Sequence, residues 1–422
     1  MALPGEIPTP TRRPERRVGI RLSTFGVAAI YLLALGLLVL LPQPVQDLSN
    51  LEAQGSLGIG WLADALRNIL LFVPLGAGVR FATGSSLRAL SLGAALAITF
   101  ELLQTFIPGR FSSPVDIVAN TVGAWLGAWM MGHRARLLAP SPRQAARLAG
   151  IATLMAASIL ILGTLALGPA TPDTRYFGGH TPQLAHLAHY QGQVLQARIG
   201  DSPIPDAGLV DDQAALKRSL QSEKSIRIRF RRGPAPARLA PLVTLHDDLQ
   251  REILLVGLEG DDLVVRRWMH GTAWGLENPA HRWPVALAPN RVGEATELEL
   301  ALEGLRARAR VDERALADHA WSPARIWALV LPRDIASEAS ARILDAVCIA
   351  VLTLPVAFYA RRAIVGFPVL AALTALLIAL PTVVECAAIS AREWLAFGGA
   401  VALGLWLGGR AIDPDPAERG TE

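Results

Sequence analysis

The chain has 422 residues, 52% hydrophobic and 18% charged, with a mean hydropathy of +0.36, so it holds more apolar side chains than a soluble core can bury. Its formal charge is only +4 and many arginines flank apolar runs, where charge orients helices, which argues against nucleic acid as a partner. Two cysteines, Cys348 and Cys386, both in or beside apolar runs, exclude a disulfide framework and a cysteine-based zinc site.

A bilayer core about 30 Å thick needs roughly 20 helical residues to cross it. Residues 1–21 form a basic tail with the segment TRRPERR, and 22–41 is an unbroken apolar run. That run is longer than a signal-peptide core and lacks a small-x-small cleavage site, so it reads as an uncleaved anchor. Further spans are expected at 66–82, 86–107, 115–132, 148–168, 340–360, 363–382 and 394–410, making about eight transmembrane helices. The second is short and holds Arg67 and Pro74. With both termini cytoplasmic, the basic clusters near the spans fall on one side, including Arg80, Arg88, the run from His133 to Arg147, Arg361, Arg362 and Arg410. The fold class expected is a polytopic α-helical membrane protein with an inserted all-β sandwich or jelly-roll domain.

Polar residues recur among the first four spans. Residues three or four apart share a helix face. Asp64 and Asn68 form one such pair, Glu101 and Gln104 another, Asp116 and Asn120 a third. The topology sets all three at the outward level. Ionisable groups in a membrane cost about 2.5–3.5 kcal/mol each at the centre and usually face the bundle interior or a wet cavity. A shared polar pocket is therefore expected, with Arg110, Ser112 and Ser113 of the intervening loop able to pair with the carboxylates, cap the fourth span or hold a ligand phosphate. A purely structural account is also open: Asp116 after Pro114 suits a helix N-terminus, and Asn68 and Asn120 suit interhelical hydrogen bonding. Gly123 and Gly127, four apart, predict close packing of the fourth span.

The segments DALRNILLFVPLGAG and ELLQTFIPGRFSSPVDIVANTVGAWLG resemble the VanZ-like membrane family, through Asp64, Asn68, Phe72, Pro74, Leu75, Gly76, Glu101, Gln104, Arg110, Ser113, Asp116, Asn120, Gly123 and Gly127. The resemblance covers about residues 20–135. It implies a protein of the bacterial cell envelope, in a family named for a protein conferring low-level resistance to the antibiotic teicoplanin, with no settled reaction attached. The domain plan is then a cytoplasmic tail at 1–21, a VanZ-like five-helix membrane domain at 22–169, an extracytoplasmic domain at 170–338, three further helices at 339–411 and a cytoplasmic tail at 412–422. The protein is placed in the bacterial cytoplasmic membrane.

Between the fifth and sixth spans the pattern changes to period two. SIRIRFRR (225–232) alternates Ile226, Ile228 and Phe230 with polar neighbours. Residues 251–268 read as a hairpin turning at Glu259 to Asp262, and 295–311 as a second around Glu303 and Gly304, with short strands near APLVTLHD and RIWALVLP. The pattern is similar to laminin-G or concanavalin-like jelly rolls. That resemblance implies glycan contact, with Trp268, Trp274 and Trp283 as candidates for packing on sugar faces, and calcium at Asp247, Asp248, Asp261 and Asp262. Tryptophans at strand ends also serve as core, and adjacent aspartates as turns; no Asp-x-Asp-x-Asp spacing supports calcium, so no cofactor is expected. His180, His186 and His189 lack a third ligand or a glutamate base, and no metal is assigned. The last spans carry Asp345, Glu385, Arg392 and Glu393, read as helix-end anchors or as part of the outward polar surface.

The pocket residues Asp64, Asn68, Glu101, Gln104, Arg110, Ser113, Asp116 and Asn120 suggest binding of a lipid-linked or lipidated envelope glycan. The alternative is a membrane transferase or hydrolase with Glu101 or Asp116 as general base. With no nucleophile-base pair, metal motif or phosphate loop, binding is the preferred expectation. The bilayer is the expected partner, and protein partners are unknown from sequence.

Overall fold

The computed structural model describes residues 31, 60–107, 112–184, 187–287, 291–332, 337–361 and 366–410. The expected first span at 22–41 (Tyr31 apart), the loop residue Arg110, His186 and both cytoplasmic tails lie outside them. The chain divides into two units, one comprising residues 1–44 and 69–131, the other 45–68 and 132–422.

Seven long helices frame the described residues: α1 (Trp61–Thr83), α2 (Ser86–Gln104), α3 (Pro114–Gly132), α4 (Pro142–Leu167), α5 (Glu338–Ala360), α6 (Gly366–Val383) and α7 (Ala391–Arg410). Among the described residues five spans are long and apolar enough to cross a membrane: α1, α2, α4, Ala339–Ala360 within α5, and α6. The expected count of eight is not reached on these criteria. Helices α3 and α7 have 19 and 20 residues, but Asp116 and Asn120 in α3, and Arg392, Glu393 and Arg410 in α7, dilute their apolar character. This is a multi-pass membrane protein with a β-rich part.

In the first unit, small residues face inward and large ones outward, as in helices packed within lipid. Helix α2 buries Ala89, Gly93, Ala97, Glu101 and Gln104 at near four-residue steps and exposes Leu87, Leu92, Ile98, Leu102 and Leu103. Helix α3 buries Ala119, Asn120, Gly123, Ala124, Gly127 and Ala128, while Val118, Val122, Trp125 and Trp129 form its outer stripe. A Cβ at Gly123 would strike the Ile69 carbonyl, and one at Gly127 the Val73 carbonyl; a Cβ at Gly76 would strike that of Ala124. The close packing expected of Gly123 and Gly127 thus has α1 as its partner. Phe72 meets Phe100 edge-on, with ring centroids 6.4 Å apart, and the Tyr31 hydroxyl donates to the Leu71 carbonyl.

The second unit begins its first long helix with a capping box at Ser141 and Gln144 and with Pro142 in the first turn, which fixes the start of α4. Two antiparallel sheets follow. One has six strands in the order β4 (Ala207–Leu209), β1 (Phe177–His180), β6 (Ala240–His246), β7 (Glu252–Glu259), β8 (Asp262–Arg267), β9 (His281–Trp283). The other has seven: β12 (Arg314–Ala315), β11 (Arg306–Val311), β10 (Ala295–Glu303), β5 (Ile226–Arg231), β2 (Gln193–Ile199), β3 (Ser202–Pro203), with β13 (His319–Ala320) also paired to β11. Both expected hairpins form: Glu259 pairs with Asp262 and Glu303 with Arg306, each across a two-residue loop containing a glycine at positive φ, Gly260 and Gly304. Ile226, Ile228 and Phe230 point into one core with Leu242, Leu254, Val256, Leu298 and Leu300.

The segment 325–332, expected as a strand, is instead the end of a 3₁₀ helix, Pro323–Leu329, and the residues after it. Ser322 caps it, Pro323 opens it, and Ile326 packs over Gly163 of α4. Its polar side chains bond to α5, so tertiary contacts override the alternating pattern.

The edge strand β9 of the six-stranded sheet carries a buried imidazole. His281 is 1% exposed, stacks on Trp321 at 3.9 Å between ring centroids, and has no hydrogen-bond partner on either ring nitrogen among the described residues. Burial, and then the nearby Arg267, His319 and Arg325, hold its pKa well below the ordinary 6.5. The folded protein keeps this ring neutral, whereas the unfolded chain protonates it as pH falls through 6.5. The stability it contributes is complete above that value and is lost below it, by up to about 1.4 kcal/mol per pH unit. Thermal unfolding followed from pH 7.5 to pH 5 is expected to shift downward, and His281→Phe to flatten the acid limb. His246, also lowered by burial, retains part of the slope. An unchanged limb in the variant would reject this account.

Candidate functional site

Five of the predicted pocket residues lie on the hairpin of α2 and α3 within the first unit. Glu101 and Gln104 occupy the last turn of α2, Ser113 precedes α3, and Asp116 and Asn120 lie in its first two turns. Pro114 at the first helical position explains why the chain turns into α3 here, and the Asp116 carboxylate in the first turn suits the helix dipole.

Glu101, Gln104 and Asn120 are 4%, 6% and 3% exposed. Glu101 Oε2 accepts the Ser113 backbone N–H at 2.7 Å, so the end of one helix caps the entry to the next. Ser113 adds its hydroxyl, accepting Val115 N at 3.2 Å, and its carbonyl accepts Asp116 N at 3.0 Å. The Asn120 side-chain oxygen has no hydrogen-bond partner among the described residues. A buried amide oxygen left unpaired costs about 1–3 kcal/mol, so its retention in an apolar helix calls for a reason. Asp116 is half-buried and Ser112 exposed.

Asp64 and Asn68 belong to the second unit. Asp64 is exposed and pairs with Arg67, whose guanidinium also donates to Glu277 Oε1 at 3.0 Å and to the Val330 carbonyl at 2.8 Å. The Leu62 and Ala63 amides donate to the Gly275 carbonyl. The start of α1 is therefore fastened to the loop around Gly275 of the same unit. Sequence reasoning treated Arg67 only as a weakness in a span; its position three residues after Asp64 is the signal that was there to read.

The tryptophan candidates separate by burial. Trp283 and Trp268 are 2% and 5% exposed and belong to the sandwich core, where the Trp283 indole donates to the Ala317 carbonyl at 2.8 Å. They offer no ring face to a sugar. Trp274 is exposed. Asp247 is buried and consumed by Leu249 N, Arg251 N and the Arg251 side chain; Asp262 holds Arg282 and Val285 N; Asp248 accepts from Thr174. These are turn and ion-pair roles. Among the described residues no group of three or more histidine, cysteine, aspartate or glutamate side chains is placed to hold a metal.

A third set of buried polar groups was not foreseen as such. Arg325 donates to Asp345 through Nε (2.9 Å) and Nη2 (3.0 Å), and the Trp327 indole donates to the same carboxylate at 2.7 Å. Glu393 accepts from the Ser322 hydroxyl at 2.7 Å and from Ser390 N at 2.6 Å. These residues fasten the 3₁₀ segment to α5 and α7.

Comparison with known proteins finds no curated protein and no solved structure that matches the chain. One family model does match: VanZ/LLP1, over residues 24–134. That stretch holds α1, α2 and α3 with all eight predicted pocket residues, so this is a membrane protein whose amino-terminal helical segment is VanZ-like.

Proposed function

We propose that the protein is an envelope component of the bacterial cytoplasmic membrane that binds a lipid-linked or lipidated glycan at the polar end of the α2–α3 hairpin. The β-rich part is then a glycan-facing jelly roll outside the membrane, at about residues 170–338, and both termini are cytoplasmic. The arginine bias near the spans supports that orientation. The observation that carries the reading is the buried polar set Glu101, Gln104 and Asn120, with the Asn120 oxygen unpaired, in helices that otherwise turn large apolar side chains outward. Such groups in lipid-embedded helices mark substrate paths and binding chambers. Arg110 of the intervening loop offers a fork for phosphate or carboxylate, and Ser113 and Asp116 complete the proposed set on this hairpin.

The test is the lipid and glycan content of the purified full chain by mass spectrometry. Wild type is expected to retain a lipid-linked species that Glu101→Ala, Asp116→Ala and Arg110→Ala lose by tenfold or more, while all variants insert at normal level. Chemical change of that species during incubation would favour the transferase or hydrolase alternative, with Glu101 or Asp116 as base. Equal content in all variants would remove the site.

A further inference from the structure

The outer face of the seven-stranded sheet is built of arginines. Strand β5 alternates buried Ile226, Ile228 and Phe230 with exposed Arg227, Arg229 and Arg231, and β11 alternates buried Ala307, Ala309 and Val311 with exposed Arg306, Arg308 and Arg310. Because side chains in a strand alternate, every exposed position of both strands lands on this one face, about 6.8 Å from the next along the strand.

The register and the ion pairs show which part of this charge is neutralised and which is not. Arg198 of β2 lies directly opposite Arg227, a like-charge pairing that weakens a sheet, and is itself paired with Asp201 at 3.0 Å. Glu299 lies between Arg227 and Arg310 and is bonded to the first at 3.1 Å. Arg308, opposite Ala301, reaches both carboxylate oxygens of Glu303 at 2.6 and 2.5 Å, whereas Arg231 stands opposite Ala295 with no carboxylate across the ladder. Glu297 is opposite Arg229, and no salt bridge forms to Arg229, Arg231 or Arg310 among the described residues. A trough of about 540 Å³ opens here, lined by Gln196, Arg198, Arg227, Arg229, Glu297 and Asp312.

Folding gains no ion pair from Arg229, Arg231 or Arg310 among the described residues. A solvated face needs polar residues, but an ordinary one mixes signs to limit repulsion. The guanidinium is the side chain suited to bidentate contact with planar carboxylates and with phosphates, and repeated forks at a fixed spacing suit a ligand with repeated anions. The β10–β11 turn abuts Glu385, between α6 and α7, so the arginines of β11 climb away from the helix end of the unit as a ladder.

We infer that this face is the docking surface for an extended polyanionic glycan, with carboxylate or phosphate groups held by Arg229, Arg231 and Arg310 beside the ion-paired Arg198, Arg227 and Arg308. The inference deepens the glycan-facing role proposed above and rests on that reading for the glycan; the charge itself does not. It moves the contact from tryptophan rings to guanidinium forks.

The experiment uses the full chain in nanodiscs of phosphatidylcholine, titrated with polygalacturonate as the carboxylate probe, a phosphomannan as the phosphate probe and neutral dextran as the control. Binding to at least one polyanion is expected, weakening roughly tenfold between about 50 and about 300 mM salt. Arg229→Glu, Arg231→Glu and Arg310→Glu combined should weaken it by tenfold or more, with the corresponding lysine triple close to wild type. Whichever probe binds more tightly identifies the anion. Equal binding of dextran, no binding of either polyanion, or full binding by the charge-reversed triple overturns the inference. So does attachment to phosphatidylglycerol vesicles in place of either polymer, which would assign the face to a membrane. Retained lipid is measured on the same samples: if this inference alone fails, polyanion binding is absent while lipid persists, whereas loss of the lipid marks failure of the proposed function.

Discussion

Gly127→Leu is expected to abolish the folded helical segment. A Cβ at this position meets the Val73 carbonyl and the Ala77 amide nitrogen, both backbone, so no rotamer change can make room. Gly123 faces Ile69 in the same way, and Gly76 on the opposing helix faces Ala124, so α1 and α3 meet backbone to backbone along a seam. Adding even a methyl group to such a seam costs about 1–3 kcal/mol, and a leucine forces the helices apart. Gly78 is the control, because nothing lies within 4 Å of the Cβ it would gain, and Gly78→Ala should leave the protein unchanged or slightly steadier. Size-exclusion chromatography of the detergent-solubilised protein is the readout. Gly127→Leu and Gly123→Leu should lose the monodisperse peak while Gly78→Ala keeps it, and a normal peak for both leucine variants would mean that α1 and α3 are not in contact.

The same seam shows what the sequence could convey. Two glycines four apart announce a close approach but not the partner, because the Gly76 contact lies some 50 positions away in the chain. Strand β5 was legible because its signal is local: a buried residue at every second position needs only the strand itself. The pairs Glu259–Asp262 and Glu303–Arg306 were legible for the same reason, with turn residues between complementary strands. Arg67 with Glu277 was not, since 210 residues separate them and no periodicity links them. Hydropathy located the helices, and five of the expected eight spans are long and apolar enough among the described residues, since Asp116 and Glu393 lower the average of α3 and α7. For the candidate site, spacing paired Glu101 with Gln104 and Asp116 with Asn120, which lie at the end of α2 and the start of α3. It could not show that Glu101 caps α3, which depends on the backbone of Ser113. Tryptophan content suggested sugar contact, yet Trp268 and Trp283 fill the core. An aromatic residue in a strand carries no mark of which face it takes.

Asp345→Ala should be the most destabilising change in the second unit. Asp345 and Arg325 are 6% and 8% exposed and share two hydrogen bonds, and Trp327 adds a third to the same carboxylate. Removing the acid leaves a guanidinium and an indole N–H without their acceptor in a nearly dry site beside α4, α5 and α6. Breaking a buried pair from one side costs about 3–5 kcal/mol, against about 0–1 kcal/mol for an exposed pair such as Arg291 and Glu294. The expected shift in melting temperature is on the order of 10 °C downward, read by intrinsic tryptophan fluorescence in detergent. Arg325→Met should fall by less, because the carboxylate keeps the Trp327 hydrogen bond. The double replacement, Arg325→Met with Asp345→Leu, should recover most of the loss, since an apolar pair of similar volume avoids desolvating two charges. A single Asp345→Ala variant that melts with wild type would show that the 3₁₀ segment is held to α5 by apolar packing alone. A double variant no better than the single would show instead that the pair defines the position of the β-rich part on these helices, because restored apolar volume without the fixed geometry of the fork would then fail to seat it.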